Sequence, residues 1–278
     1  IPYAYVLEDA PDLDLNDARA EDLARWFPVP SLAFIGDETA DGEPFDAGGI
    51  KPLALFDAPR VDLSLQRLKH YTGTPYEHVQ NYVLFTNYHR YVDAFVDWAV
   101  KEVQGDGPYT RFSAPGGIVV DASTDNPVEV IANGPWRRHQ MPAYHLMRED
   151  GEGVTLVNIG VGPSNAKTIT DHLAVLRPQC WIMVGHCGGL RHSQAIGDYV
   201  LAHAYLRDDH VLDAVLPPDI PVPPIAEIQL ALQAATARVS GATGEELKQR
   251  LRTGTVVTTD DRNWEFRFTE TAKRFNKS

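Results

Sequence analysis

The sequence predicts an α/β protein in which a mixed, mostly parallel twisted sheet is flanked by helices. Two observations support this prediction: short β-rich runs alternate with helical segments after residue 60, and each run ends in a polar or glycine-rich turn. The composition, with 44% hydrophobic and 23% charged residues, excludes wholesale disorder. Because ligands bind beyond the carboxyl ends of parallel strands, those turns are the candidate site.

The first sixty residues differ from the rest of the chain in charge. They contain 13 acidic and four basic residues and so carry −9 of the net charge of −13. Residues 17–27 have the spacing of one amphipathic helix, and residues 36–60 are dense in glycine and proline, which is typical of a linker. We therefore place a domain boundary near residue 60.

The elements after this boundary are predicted from hydrophobic periodicity. Strands are expected at residues 82–86, 117–121, 128–132, 154–159, 181–184, 198–206 and 255–259. Helices are expected at residues 88–103, 164–176, 224–239, 244–252 and 264–275. The strands at 117–121 and 128–132 are expected to pair as a hairpin, and the apolar strand at 181–184 is expected to be buried.

Several classes of protein are disfavoured by composition. The net charge of −13 and the lack of basic stripes argue against nucleic-acid binding. No apolar run approaches a membrane span, and the first residues lack the features of a signal peptide, so the chain is expected to start in mid-sequence. Cys180 and Cys187 indicate a reducing, cytoplasmic compartment, and their spacing gives no reason to expect a metal site.

The first candidate turn contains Gly160, Val161 and Gly162, between a predicted strand and a predicted helix. Glycines allow close approach of a ligand, and the free N–H groups of a helix start favour an anion. The dinucleotide pattern lacks its third glycine, because position 165 is Asn, and no P-loop is present. Ligand contact and a plain tight turn both remain open for this segment.

Two further turns follow later strands. Gly185 and His186 open a segment with three glycines, for which a structural histidine is the competing interpretation. The later segment contains Thr258, Asp260, Asp261 and Trp264, which offer acceptors for the amino group of a base and an aromatic ring for stacking. A capped helix start with a core tryptophan explains the later segment equally well.

The fourth turn follows the first strand and contains Asn87 and Arg90. An arginine in the first turn of a helix suits a phosphate group, although in isolation a solvated arginine is the simpler interpretation. Together, the four turns match a site of mononucleotide size.

Four segments carry a resemblance to a known family: HYTGTPYEHVQNYVLFTNYHRYVDAF, VTLVNIGVGPSNAKTITDHLAVLRP, MVGHCGGLRHSQAIGDYVLAHAYL and RTGTVVTTDDRNWE. They resemble the AMP nucleosidase family, whose catalytic domain is of the purine nucleoside phosphorylase type. The resemblance implies hydrolysis of AMP to adenine and ribose 5-phosphate without a cofactor, in cytoplasmic hexamers that serve purine salvage. It also implies activation by MgATP and regulation by phosphate.

The same resemblance implies roles for single residues. Asn87 and Arg90 match the phosphate-binding turn, and the turn from Gly160 to Gly162 matches the one under the ribose. His78 resembles the histidine that reaches the site of a neighbouring subunit. Thr258, Asp260, Asp261 and Trp264 match the loop on the base side.

One departure from the phosphorylases concerns the nucleophile. Gly185 and His186 match a strand end at which phosphorylases hold phosphate with Arg and Ser, but Met183 and His186 occupy those two positions here. Since a fixed cation is lost, the departure favours water over phosphate as the nucleophile.

The resemblance also indicates that the chain is a fragment. Residues 1–60 match the end of an acidic N-terminal regulatory domain with its linker, and residues 61–278 match a catalytic domain truncated at its C-terminus. The segments that grip the ribose and supply the general acid are expected beyond Ser278, so no catalytic residue is identifiable and the chain alone is expected to be inactive or impaired. A nucleoside phosphorylase-type transferase and a non-catalytic nucleotide-binding module are the alternatives.

Overall fold

The computed structural model describes residues 61–214 and 216–275. The predictions for the helix at 17–27, the linker at 36–60 and the acidic domain lie outside the described residues. The described chain divides into two compact units: the first comprises residues 61–161 and Asn165–Gly185, and the second comprises Gly162–Ser164 and the residues from His186 onward. No helix in the described ranges has the length and apolar character needed to span a membrane.

The first unit is built on a six-stranded sheet with the order β3-β2-β4-β5-β1-β6. The strands are β1 Tyr82–Thr86, β2 Arg111–Ala114, β3 Ile118–Val120, β4 Ala143–Met147, β5 Val154–Asn158 and β6 Cys180–Val184. β1 pairs in parallel with β5 and with β6, whereas β4 is antiparallel to β5 and β2 is antiparallel to β3 and β4. Consequently β1, β2, β5 and β6 point in one direction, which confirms the mixed, mostly parallel sheet.

Helices cover both faces of this sheet. They are α1 Val61–Thr72, α2 His89–Val103, α3 Pro127–Ala132 and α4 Pro163–Ala174. Successive strand residues point to opposite faces, so Leu156 packs in the core beside α2 and α3, whereas its neighbour Val157 packs in the core beside α1 and α4. The sheet therefore lies between two apolar layers, and the turns extend from the ends of its strands.

The predicted strand at residues 128–132 is wrong, because these residues belong to α3. Pro127 sits at the first helical position, where its fixed φ suits a helix, and Asn126 precedes it at a φ of 49°. Pro127 and Ile131, four residues apart, are buried, whereas Val128 and Val130 are 41% exposed. No hairpin forms there, and β3 pairs with β2 instead.

The strand at residues 181–184 is confirmed, but its predicted burial is wrong. β6 is an edge strand of the six-stranded sheet, and its side chains are half-buried or exposed, with Met183 50% and Val184 38% exposed. A continuous apolar run fits a buried strand, yet an edge position leaves one long side of the strand without a paired neighbour.

The second unit contains a parallel pair of strands, β7 Tyr199–Asp208 and β8 Leu251–Thr259. Two helices connect them, α5 Ala226–Ser240 and α6 Gly244–Arg250, which is the βαβ arrangement expected for a parallel pair. A 3₁₀ helix, Trp264–Arg267, and α7, Phe268–Phe275, follow β8. These elements were predicted from the sequence in outline, but residues 251–252, predicted as the end of a helix, belong to β8, and residues 264–267 form a 3₁₀ helix before α7.

Candidate functional site

Three predicted turns lie together at the end of the six-stranded sheet where β1, β5 and β6 terminate, and we call this end the sheet edge. Thr86, the last residue of β1, is in register with Asn158 at the end of β5 and with Val184 at the end of β6. Parallel strands in register end side by side, so the residues that follow them, which include Asn87, Gly160 and Gly185, occupy the same edge.

The turn after β5 is held by two asparagines. The amide N–H of Gly160 donates to Oδ1 of Asn158 at 3.1 Å, and Nδ2 of Asn165 donates to the carbonyl of Ile159 at 3.1 Å. Gly160 has a φ of 66° and Gly162 a φ of 114°, which side chains other than glycine adopt at a cost. Val161, between them, is 46% exposed. The turn therefore presents backbone and a small apolar side chain to solvent in a fixed shape.

Asn87 and Gly185 fit closely together. A Cβ built on Gly185 would lie 3.3 Å from Oδ1 of Asn87 and 3.2 Å from the Met183 methyl carbon, so glycine is what permits this approach. The Oδ1 atom of Asn87 is buried and has no hydrogen-bond partner among the described residues. An unpaired buried acceptor is costly, and a ligand that donates to it would remove the cost.

Arg90 is the second residue of α2, directly after the end of β1. Its side chain is exposed, and the guanidinium carbon lies 5.5 Å from the ring centre of Tyr91. The first turn of α2 holds no acidic residue, so no carboxylate of that turn offsets the positive end of the helix dipole. This arrangement suits a phosphate group.

His78 lies in a short 3₁₀ turn, Tyr76–His78, before β1. Its Nδ1 is 2.8 Å from the hydroxyl of Ser113, and burial lowers the pKa of its imidazole. Its ring packs edge-on against His145, with centroids 6.2 Å apart. These contacts anchor His78 within its own chain, and its role toward a neighbouring subunit stays a prediction.

In the second unit, the loop after β8 is organised by its own side chains. The hydroxyl of Thr258 donates to the carboxylate of Asp209, and Asp261 forms an ion pair with Arg267. Oδ1 of Asp261 also accepts from the Asn263 N–H at 2.9 Å. Asp261 therefore has the role of a turn-capping carboxylate, whereas the carboxylate of Asp260 is exposed.

The predicted base-side loop meets the glycine-rich segment after β6 through Trp264. A Cβ on Gly188 would lie 2.5 Å from the Trp264 ring, so only glycine leaves room for the indole. Trp264 also lies 6.3 Å from the ring of Phe268. His186 and Cys187 in the same segment have exposed surface, although partial burial of the Cys187 thiol raises its pKa. Across the described residues, no three His, Cys, Asp or Glu side chains are grouped to hold a metal ion.

The structure thus sorts the predicted residues into two groups. Asn87, Arg90, Gly160, Val161 and Gly185 gather at the sheet edge of the first unit, whereas Gly162, His186, Thr258, Asp260, Asp261 and Trp264 belong to the second unit. Sequence reasoning missed Asn158 and Asp209, which hold these turns in shape. For Asn158 a signal existed, since it is a polar residue inside an apolar run.

Comparison with known proteins adds to this geometry. A family model described as the phosphorylase superfamily matches residues 121–274. AMP nucleosidases from Escherichia coli K12 and Escherichia coli O157:H7 are each 64% identical over 279 residues, which cover 100% of this chain and 57% of the relative. The chain thus spans little more than half the length of these curated relatives. A crystal structure of AMP nucleosidase from Bacteroides thetaiotaomicron aligns with a TM-score of 0.56 and 25% identity over 78% of this chain and 75% of that chain.

Proposed function

This chain belongs to the phosphorylase superfamily, and from that premise we propose that it is part of an AMP nucleosidase, which hydrolyses the N-glycosidic bond of AMP to adenine and ribose 5-phosphate. The names and the 64% identity of the two Escherichia coli relatives support the proposal. The relatives are longer than this chain, so the proposal assigns substrate binding to these residues and assigns the general acid to none of them.

The observation on which the proposal rests is the common edge formed by the ends of β5, β1 and β6. Here we assign the 5′-phosphate to Arg90 and the first turn of α2, which offer a guanidinium and the positive end of a helix dipole. We assign the ribose to the turn from Gly160 to Gly162, where the two glycines adopt positive φ values and have no side chain to block approach to the backbone. The buried acceptor of Asn87 suits a hydroxyl or N–H donor at the same edge.

The base-side role is proposed for Thr258, Asp260, Asp261 and Trp264. The exposed carboxylate of Asp260 is free to accept from the amino group of adenine, and the Trp264 indole, packed on Gly188, offers an aromatic surface. Thr258 and Asp261 already have partners in Asp209 and Arg267, so we assign them to shaping the loop.

The chemistry of glycosidic cleavage defines what binding must achieve. The transition state develops positive charge on the sugar, so a fixed ribose, a protonated leaving purine and a placed water are needed. Binding energy from the phosphate, which does not react, can be used to fix the ribose. Met183 and His186, at the positions where phosphorylases hold a phosphate nucleophile with Arg and Ser, favour water as the nucleophile.

The remaining family properties are proposals on the same resemblance. They are assembly as a homohexamer, to which His78 contributes across a subunit interface, activation by MgATP, regulation by phosphate, and a cytoplasmic role in purine salvage. Analytical ultracentrifugation tests the assembly, and adenine release measured with and without MgATP tests the activation.

The proposal is tested by calorimetric titration of the chain with AMP and by measuring adenine release. We expect AMP to bind and Arg90→Ala to weaken its affinity about 10-fold or more, because one charged hydrogen bond contributes about 1.5–3 kcal/mol. Arg148→Ala, which removes an arginine paired with Asp150, is the matched control and should leave AMP affinity unchanged. Failure of the wild-type chain to bind AMP, or equal loss in both variants, would contradict the proposal.

A second candidate, a phosphorylase-type transferase, is favoured by membership in the superfamily itself. The discriminating measurement supplies adenosine and inorganic phosphate and asks whether ribose 1-phosphate forms. Formation of ribose 1-phosphate would replace the hydrolase proposal. AMP binding without product in either assay fits both a fragment of the hydrolase and a non-catalytic nucleotide-binding module, and adenine release by a polypeptide extended to the length of the curated relatives would favour the hydrolase.

A further inference from the structure

A second arginine, Arg137, lies near the same sheet edge as Arg90. Arg137 lies in a short 3₁₀ helix, Trp136–Arg138, and its guanidinium carbon is 4.1 Å from the ring centre of Trp136. The arginine is exposed, and no ion pair joins it to a carboxylate within the described ranges. A guanidinium stacked on an indole keeps its in-plane N–H donors free, so its charge is held in place without being neutralised.

A series of contacts fixes Trp136 relative to the strand ends. The Trp136 ring lies 4.9 Å from the ring of His89, the first residue of α2. Nδ1 of His89 is in turn 3.5 Å from Nδ2, the side-chain nitrogen of Asn158, which is the last residue of β5. The Trp136 indole N–H also donates to the carbonyl of Ala132 at the end of α3. Arg137 is therefore tied, through two rings, to the point where β5 ends and α2 begins.

We propose that Arg137 is a specificity residue that binds the 5′-phosphate together with Arg90 and so favours a nucleotide over a nucleoside. This inference rests on the proposed function, because it names a second group for the same phosphate. A phosphate dianion offers oxygen atoms to more than one guanidinium, and an arginine held by stacking loses less conformational freedom on binding than a free one. The neighbouring Arg138 has the same charge but no such stacking partner among the described residues.

The test compares Arg137→Ala with Arg138→Ala in the 278-residue chain, titrated with AMP and with adenosine. Both variants remove one exposed cation from the same 3₁₀ helix, so they change the long-range field almost equally. We expect Arg137→Ala to weaken AMP binding about 10-fold to 100-fold, the loss of one charged hydrogen bond, and to change adenosine binding less than twofold. Arg138→Ala should change neither affinity more than about threefold, which is the size of a surface-charge effect.

A third variant separates stacking from charge. Trp136→Leu keeps Arg137 but removes its platform, and we expect it to weaken AMP binding by less than Arg137→Ala does while leaving adenosine binding unchanged. Circular dichroism of each variant checks that the fold is retained.

The outcomes distinguish this inference from the proposed function. Equal AMP affinities for Arg137→Ala and Arg138→Ala, a parallel loss for adenosine, or a wild-type chain that prefers adenosine would overturn the role of Arg137. If instead the Arg137 effect on AMP appears but a polypeptide extended to the length of the curated relatives, with Arg137 intact, releases no adenine from AMP, the hydrolase proposal fails and the phosphate-binding role stands.

Discussion

Replacing His145 with glutamine is expected to reduce the loss of stability between pH 7 and pH 5 by about 2 kcal/mol. The His145 ring is fully buried on β4, with Nδ1 2.9 Å from the hydroxyl of Thr155 and Nε2 2.8 Å from the hydroxyl of Thr74. The Thr155 hydroxyl accepts from the Gln80 N–H, so its own proton is available for Nδ1. The network therefore fits a neutral ring protonated on Nε2, and a second ring proton would require the Thr155 hydroxyl to turn its own proton away from Nδ1.

The magnitude follows from the two protonation states. Burial, followed by the charge of His78, lowers the pKa of His145 from 6.5 to about 3 in the folded chain. At pH 5 the unfolded chain binds a proton at this histidine about 97% of the time, whereas the folded chain leaves it neutral. A lowered folded pKa means that the stability present above pH 6.5 is lost as the pH falls toward 3. At about 1.36 kcal/mol per pH unit, one such histidine loses about 2 kcal/mol between pH 7 and pH 5.

The assay is urea unfolding followed by tryptophan fluorescence at pH 7.0, 6.0 and 5.0. His145→Gln is expected to be less stable at pH 7 by about 1–3 kcal/mol, because glutamine cannot match both hydrogen bonds. Its stability should nevertheless fall less steeply with acid than that of the wild type, which retains this titrating ring. Parallel stability–pH curves for the two proteins would refute the argument.

His210 supplies a control, because its replacement should change the pH dependence of stability in the opposite direction. It is exposed, and its hydrogen bond to Asp213 at 2.8 Å raises its pKa. A raised folded pKa contributes stability that is fully present below pH 6.5 and is lost as the pH rises through the folded value. His210→Gln should therefore steepen the acid loss slightly, whereas His145→Gln should flatten it.

Two further predictions concern packing in each unit. Leu173→Ala, at a fully buried position of α4, should lower the free energy of unfolding in urea by about 2–5 kcal/mol, whereas Leu63→Ala at an exposed position of α1 should cost far less. Equal costs would show that the core is not where the structure places it. Gly188→Ala should displace the Trp264 ring and change the tryptophan emission, and this change should disappear when Trp264 is already phenylalanine. An unchanged spectrum would mean that the indole does not pack on Gly188.

Hydrophobic periodicity was sufficient to predict an element wherever its residues follow one regular pattern of burial. β1 and β5 are nearly continuous apolar runs packed on both faces, and α2 repeats apolar residues every three to four positions, so all three were predicted close to their observed bounds. The same reasoning misassigned residues 128–132, where valines are typical of strands but Pro127 and the spacing of the buried residues select a helix. It also gave no strand at β4, where the buried polar ring of His145 interrupts the run.

The candidate site was predicted as a set of turns, because glycines and polar residues after apolar runs are visible in the sequence. Some of their partners are local, as Asn158 is for Gly160, but others were not visible because they lie far away along the chain. The Thr258 hydroxyl binds Asp209, 49 positions earlier, and the Asn158 amide meets His89, 69 positions earlier. Local pattern carries no information about such distant contacts, so Trp136 and Arg137 were not recognised either.

The sequence by itself determined the α/β class, most elements of both units, the acidic first sixty residues and the resemblance that names a substrate. Only the tertiary structure decided that β5, β1 and β6 end side by side, and that β6 lies at an edge with Met183 half exposed. The physical reason is that periodicity reports how one segment meets its surroundings, whereas strand order depends on pairing between segments about 70 to 100 residues apart, where each alternative order buries a similar apolar surface.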